Sequence, residues 1–243
     1  MKILVINGDC IQTNTSANLC HLAYIRGLLD AGHEVSLLSA DGRDYKTDPA
    51  MIIPAGITHY TIYGTSFYEK LSLKKRKNAS ETSNTGARST LVSRANTGII
   101  QRLKSAVLSL YGIHGIYATF VRKAQKFCLD EVFDYVISIS TPVTSHLITY
   151  KLLKAGHIKA ARWIQIWEDP WYSDAYGFNG KTAIFNEEKR LLSFAEKVCY
   201  VSPLTLRNQQ KLFPESAEKM FWMPLPAYYK NATPVHKSSS RNI

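Results

Sequence analysis

Short runs of apolar, β-branched residues recur along this chain, each followed by a stretch with helical periodicity. That alternation limits the folds open to it. Lys2 to Asn7 (KILVIN) is the first such run, continuously apolar as a strand covered on both faces must be. It ends at Gly8-Asp9. The polar loop Gln12-Thr13-Asn14-Thr15-Ser16 comes next, and any of its last four residues can cap a helix. That helix runs through Leu19, Leu22, Ala23, Arg26 and Leu29 to Ala31, where Gly32 stops it. Glu34 to Ser39 is the next strand. A strand, helix and strand in such short compass form a right-handed βαβ unit with parallel strands.

The pattern returns beyond residue 130. Phe133 to Ser140, Arg162 to Trp167, Lys197 to Ser202 and Lys219 to Met223 read as strands. Helices begin at Pro142, Thr182 and Pro203 and end near Gly156, Glu196 and Phe213. The alternation predicts an α/β fold, a Rossmann-like doubly wound parallel sheet in a single domain over residues 1–226. Two segments depart from it. Ser66 to Thr97 is rich in Lys, Ser, Thr and Asn and lacks apolar periodicity between Lys74 and Thr90, which predicts a flexible insertion. From Ile99 a helical stripe passes through Leu103, Val107, Leu110 and His114 and resumes at Tyr117, Phe120, Val121, Ala124 and Phe127. It is read as core-facing rather than membrane-facing. Residues 227–243 have the composition of a linker-like tail.

The chain of 243 residues carries a net charge of +11, which calls for an anionic partner. The excess is local. Between Glu69 and Lys104 the bases Lys70, Lys74, Lys75, Arg76, Lys77, Arg88, Arg94, Arg102 and Lys104 face only Glu69 and Glu81. A regional charge argues against a domain that wraps nucleic acid. No aromatic residues interleave with these bases, as base stacking would need, so no nucleic-acid partner is expected. The N-terminal apolar run stops at Asn7, too short for a signal-peptide core. No stretch approaches the ~18 apolar residues of a spanning helix. Cys10, Cys20, Cys128 and Cys199 lack CxxC spacing and read as buried, reduced thiols. A cytoplasmic protein is expected.

In an open parallel sheet, ligands collect beyond the carboxyl ends of the strands. The candidates there are Gly8 and Asp9 with Asn14, Thr15 and Ser16, then Ser140 and Thr141, then Glu168-Asp169-Pro170-Trp171-Tyr172, then Ser202. Ser140, Thr141 and Ser202 read equally as helix caps. Glu168-Asp169 is the sharpest segment: an acid in a partly desolvated cleft is prepared to take a proton from a hydroxyl. Adjacent residues of an extended chain point opposite ways, so one of the two acids is expected to face the ligand. Asp169 also reads as the opening of a turn before Pro170. Trp171, Tyr172, Tyr176 and Phe178 offer aromatic faces for a sugar ring or lipid, or else bury themselves. GxGxxG, GxxxxGK[ST], HExxH and GxSxG patterns do not occur, and the histidines show no tight ligand spacing. No metal site is expected. His33 and His157 lie in Ala-Gly-His turns between helix and strand and read as structural.

Taken in order, several segments resemble the N-terminal half of a GT-B glycosyltransferase, family 4 in particular. They are Met1 to Asn7, Leu28-Leu29-Asp30-Ala31-Gly32-His33-Glu34-Val35, Phe133 to Ser138 with Ser140-Thr141-Pro142, Glu168-Asp169, Ala195 to Ser202, and Lys219 to Leu225. The resemblance implies an acceptor-binding domain, a nucleotide-sugar bound by a second domain as substrate, and retaining, metal-independent transfer. The family's His-Asp or similar pair after the fifth strand falls on Glu168 and Asp169, with Glu168 in place of the more usual His. Its first loop falls on Gly8 to Ser16, without the second glycine. The resemblance places a donor domain after Pro226, where this sequence holds no acidic residue. The expectation is therefore an acceptor domain without its donor domain, inactive alone. It would act on a glycan or lipid-linked acceptor of the cell envelope in polysaccharide biosynthesis. Basic acceptor domains of this kind sit on the inner leaflet, which assigns Lys70, Lys74, Lys75, Arg76, Lys77, Arg102 and Lys104 to an anionic membrane surface. The alternative is a non-catalytic Rossmann-like module that binds a glycan or phosphorylated ligand, or assists a separate catalytic subunit.

Overall fold

The computed structural model describes residues 1–64, 113, 117–172 and 182–226. The expected insertion 66–97, the basic residues from Lys70 to Lys104, the stripe from Ile99 to Leu110, Tyr176, Phe178 and the tail 227–243 lie outside the described residues. Seven parallel strands form one sheet: β1 (Lys2–Asn7), β2 (Glu34–Ala40), β3 (Thr58–Ile62), β4 (Val132–Ser140), β5 (Lys159–Trp167), β6 (Lys197–Tyr200) and β7 (Met220–Trp222). Their order is β3-β2-β1-β4-β5-β6-β7. The chain winds outward from β1 to one edge, then returns beside β1 and winds to the other. The expected doubly wound α/β architecture is the one observed, and its switch point falls between β1 and β4.

Alternation along the strands divides the core into two layers. Ile3, Val5, Ile137, Ile139 and Ile166 face Leu22 and Ile25 of helix α1 (Ser16–Asp30). Leu4, Ile6, Val136, Trp163, Trp167 and Tyr200 face the other side. There they meet Leu147, Ile148 and Leu152 of α3 (Thr144–Lys154) and Leu191 and Leu192 of α4 (Thr182–Phe194). The central strands are apolar on both faces because both faces are covered. In α2 (Ala118–Ala124), Phe120, Val121 and Ala124 are buried, so this part of the stripe faces the core as expected. A further α-helix, α5 (Pro203–Leu212), precedes β7.

Two helices end in the same way. Gly32 and Gly156 adopt φ of +78° and +69°, and the amides of His33 and His157 return to the carbonyls of Leu28 and Leu152 at 3.1 and 3.0 Å. This is the C-terminal turn that glycine permits without a Cβ penalty. The structural reading of the two Ala-Gly-His turns holds. His157 Nδ1 also meets the carbonyl of Gln125 at 2.8 Å.

Strand β3 has no counterpart among the expected strands. Its sequence, THYTI, is polar, and at the sheet edge none of its residues is fully buried, so it lacks the apolar run that marks the central strands. The four cysteines are free, but the buried reading fails for two of them: Cys128 is exposed and Cys20 half-buried. No helix among the described residues is long and apolar enough to cross a membrane.

Of the described glycines, Gly8 leaves the least room for a side chain. A Cβ there would lie 2.4 Å from the Ser145 amide nitrogen and 2.8 Å from the Thr144 carbonyl carbon, both backbone atoms. Gly8→Ala is expected to cost about 3 kcal/mol or more, the upper end of overpacking penalties. Gly27 in α1 has nothing within 4 Å of its Cβ position, so Gly27→Ala should stabilise by about 0.5–1 kcal/mol. Urea midpoints of the two variants would move in opposite directions; equal shifts would contradict this packing.

Candidate functional site

The carboxyl ends of β1, β4 and β5 meet at the switch point. Asn7 closes β1, and the chain turns at Gly8, whose N–H donates to Ser145 Oγ at 2.7 Å. That hydroxyl in turn donates to the Pro142 carbonyl at 3.1 Å. The loop entering α1 is organised from within. Asp9 accepts from the Cys10 amide at 2.7 Å, and Thr15 caps the helix by accepting from the Asn18 amide at 3.1 Å. Asn14 donates to Asp48 at 2.6 Å, while Ser16 begins the helix, exposed.

β4 ends at Ser140, whose buried hydroxyl has no hydrogen-bond partner among the described residues. It caps no helix. After β5 the chain bends, and both carboxylates reach the same residue. The Thr141 amide donates to Glu168 Oε2 and the Thr141 hydroxyl to Asp169 Oδ2, each at 3.4 Å. The expectation that only one acid would face this rim is thereby corrected: residues 168 and 169 leave the extended conformation, so the alternation rule no longer applies. Glu168 has 9% of its side chain exposed, whereas Asp169 is exposed.

Three other expected ligand contacts are also reassigned. Trp171 is 6% exposed and belongs to the hydrophobic core, so it presents no face to a ligand. Ser202 caps α5, accepting from the amides of Leu204 and Thr205 at 3.2 and 3.5 Å. Gly8 is buried against α3 with its N–H already used. Tyr172 is half-buried with its ring edge-on to Phe185. Its amide donates to Glu188 Oε2 at 2.6 Å, which pins the far end of the acidic loop to α4. The side chains brought together at the rim are therefore Thr141, Glu168 and Asp169, with Ser140 beneath them.

Two histidines that sequence reasoning passed over lie under this rim. His21, fully buried on α1, places Nδ1 at 3.1 Å from Asn7 Oδ1 and Nε2 at 3.4 Å from Glu168 Oε1. Its signal in the sequence is the spacing Asn18, His21, Leu22, Ile25, which sets two polar residues on the buried face of a helix. His146 on α3 is the second. Its Nδ1 lies 2.7 Å from Ser138 Oγ, which also accepts from Trp163 Nε1 at 2.8 Å, and its ring packs on Trp167 with centroids 4.2 Å apart. Burial, with the neighbouring His21 adding to it, pushes the His146 pKa from 6.5 down to about 3. Among the described residues no group of three or more His, Cys, Asp or Glu side chains is placed to hold a metal ion.

No protein-family model matches the chain, and no curated protein does. Solved structures that are similar include a glycosyltransferase of Arabidopsis thaliana, UGT89C1, complexed with UDP-L-rhamnose (13% identity, TM-score 0.45, 93% of this chain and 49% of that one). Anabaena Alr3699/HepE, in complex with UDP and glucose, aligns at 14% identity and TM-score 0.42 over 93% of this chain and 44% of that one. The glycotransferase of kitacinnamycin aligns at 12% identity and TM-score 0.41, over 96% and 53% respectively. The chain spans about half the length of each.

The protonation of His146 sets a pH dependence. Its folded pKa lies below the unfolded value, so between pH 6.5 and about 3 the unfolded chain binds a proton that the fold excludes. Stability from this group is complete above pH 6.5 and falls as pH falls, by up to about 1.4 kcal/mol per pH unit. Urea melts between pH 7 and 4.5 should show a shallower fall for His146→Gln than for the wild type. Equal slopes would contradict the buried neutral imidazole.

Proposed function

We propose that this chain is the N-terminal, acceptor-binding half of a GT-B glycosyltransferase that transfers a sugar from a nucleotide-sugar to a glycan or lipid-linked acceptor. The observation that carries the reading is the gathering of Glu168 and Asp169 on Thr141, at the carboxyl end of β4 and β5, beside the switch point. Two carboxylates and a hydroxyl at an open rim are hydrogen-bonding partners for the hydroxyl groups of a sugar. Partial burial of Glu168 excludes the water that would compete for them. The order of the sequence segments that resemble the GT-B family supports the same reading. Asp169 is the exposed acid and meets the acceptor directly; Glu168 is the buried one, backed by His21.

The same reading places the chain at a membrane surface through its basic stretch, residues 70–104. Arg43 and Lys123 both lie over the ring of Tyr63, at 4.5 and 5.1 Å from its centroid. These cations lie at the same end of β3 from which the chain runs on toward the basic residues 70–104. Each Lys or Arg near an anionic bilayer contributes about 1 kcal/mol, so the local excess suffices for reversible attachment.

Sugar transfer, assayed with the donor-binding half present as part of the same gene product or as a partner, tests the enzymatic reading. Asp169→Ala should lower it by about 100-fold or more, with the urea midpoint unchanged because the side chain is exposed. Wild-type turnover in Asp169→Ala would remove this residue from the site. Co-sedimentation with vesicles tests the membrane reading: retention on anionic vesicles that is lost on neutral ones and in high salt is expected. Equal retention on both would refute it.

A further inference from the structure

Which atom of His21 carries a proton is decided by groups three hydrogen bonds away. The Asn18 Nδ2 group lies 2.9 Å from the Cys10 carbonyl oxygen and 3.0 Å from that of Thr13. Carbonyl oxygens only accept, so this end of the Asn18 amide must be its NH2 group. Its Oδ1 therefore turns to Asn7, where it lies 3.3 Å from Nδ2. Asn7 Nδ2 also meets the Asp9 carbonyl at 3.2 Å. Both partners of that nitrogen are acceptors, which fixes the Asn7 amide as well and leaves its Oδ1 facing His21 Nδ1 at 3.1 Å. An amide oxygen accepts, so Nδ1 carries a hydrogen.

A neutral imidazole protonated at Nδ1 has a bare lone pair at Nε2. That atom lies 3.4 Å from Glu168 Oε1, with the His21 side chain fully buried and that of Glu168 9% exposed. Among the described residues neither atom has another hydrogen-bond partner. A carboxylate oxygen and a bare imidazole nitrogen repel each other, and burial weakens the screening of that repulsion. The contact is favourable only with a proton between the two atoms.

We propose that His21 is a positioning residue that shares one proton with Glu168, its orientation and tautomer set through Asn7 and Asn18 by the backbone carbonyls of Cys10 and Thr13. Among the described residues, the other titratable groups around the pair are Cys20 and Tyr24 on α1, His146 on α3 and Asp169 on the acidic loop. Cys20 and Tyr24 both have their ionisation pushed up, chiefly by burial and further by the Glu168 charge, so neither supplies a competing negative charge. With the proton held on its inner oxygen, Glu168 keeps Oε2 as the acceptor turned toward Thr141 and the rim. A ligand oxygen arriving there as a hydroxyl would donate to Oε2, its charge balanced from beneath by the imidazole. The shared proton follows from the hydrogen bonds alone, and only the identity of the ligand rests on the glycosyltransferase reading.

The experiment is nitrogen NMR of the full chain with ¹⁵N-labelled histidine rings at neutral pH, with His21 assigned by the signal missing from His21→Asn. Two results support the proposal. One is a His21 ring protonated on both nitrogens. The other is a ring protonated on Nδ1 alone, accompanied by an infrared band of an un-ionised carboxyl that vanishes in Glu168→Gln. In that variant the new carboxamide can donate to Nε2, so His21 should become the neutral Nδ1–H form. Three results overturn it: a neutral ring protonated on Nε2, an Nδ1–H ring with no such carboxyl band, or a doubly protonated ring unaltered in Glu168→Gln. The wild-type spectra decide alone if Glu168→Gln does not fold. A chain without transfer activity would still give the expected spectrum if the hydrogen-bond chain is correct.

Discussion

The contact of Gly8 with the start of α3 is the constraint on which the rest of the rim depends. By bringing the exit of β1 onto the Thr144 and Ser145 backbone, it fixes how closely α3 covers the sheet. It also commits the Gly8 N–H to Ser145 Oγ. The chain must then turn away toward the opposite face, where α1 packs on Ile3, Val5 and Ile137. The polar atoms left at the turn are satisfied from within the protein: Asn18 of α1 meets the carbonyls of Cys10 and Thr13, and Asn7 meets Asn18 and Asp9. Buried polar groups are costly unless so paired.

The same geometry produces the electrostatics of the rim. Strand pairing of β4 with β5 sets Ser140 opposite Trp167, which brings residue 141 within reach of both 168 and 169. Two neighbouring carboxylates held on one threonine repel each other. The exposed one is relieved by water and the more buried one by the imidazole of His21. Glu188, fully buried on α4, anchors the loop from behind through the Tyr172 amide. Trp171 between them fills the core. The acidic loop is thus held at both ends by buried groups, which is how a short surface segment keeps two charged side chains in one place.

The fold was largely legible in the sequence because its central strands are covered on both faces and so read as short runs dominated by apolar residues, from KILVIN to FDYVISIS. β3 escaped because an edge strand with half-exposed residues has no such run. Of the site, Thr141, Glu168 and Asp169 stand directly after the carboxyl ends of strands, where an open parallel sheet gathers its ligands. His21 and His146 carry no such mark, since they belong to helices and enter the rim only through tertiary packing across the switch point. Trp171 misled for a related reason: an aromatic residue beside an acid pair looks the same in sequence whether it lines a cleft or plugs a core. Ser202 carried a cap and a site reading together, and its contacts with Leu204 and Thr205 are those of a cap.

A double-mutant cycle at the acidic pair measures whether Glu168 and Asp169 act as one unit. Sugar transfer would be measured, with the donor-binding half present, for Glu168→Gln, Asp169→Asn and the two combined. Because both side chains act through one rim and one threonine, each single exchange should lower the rate by about 100-fold or more. The combined variant should fall little below the weaker single one, since groups that act as a unit are not additive. A combined variant that transfers sugar at the wild-type rate would contradict the account.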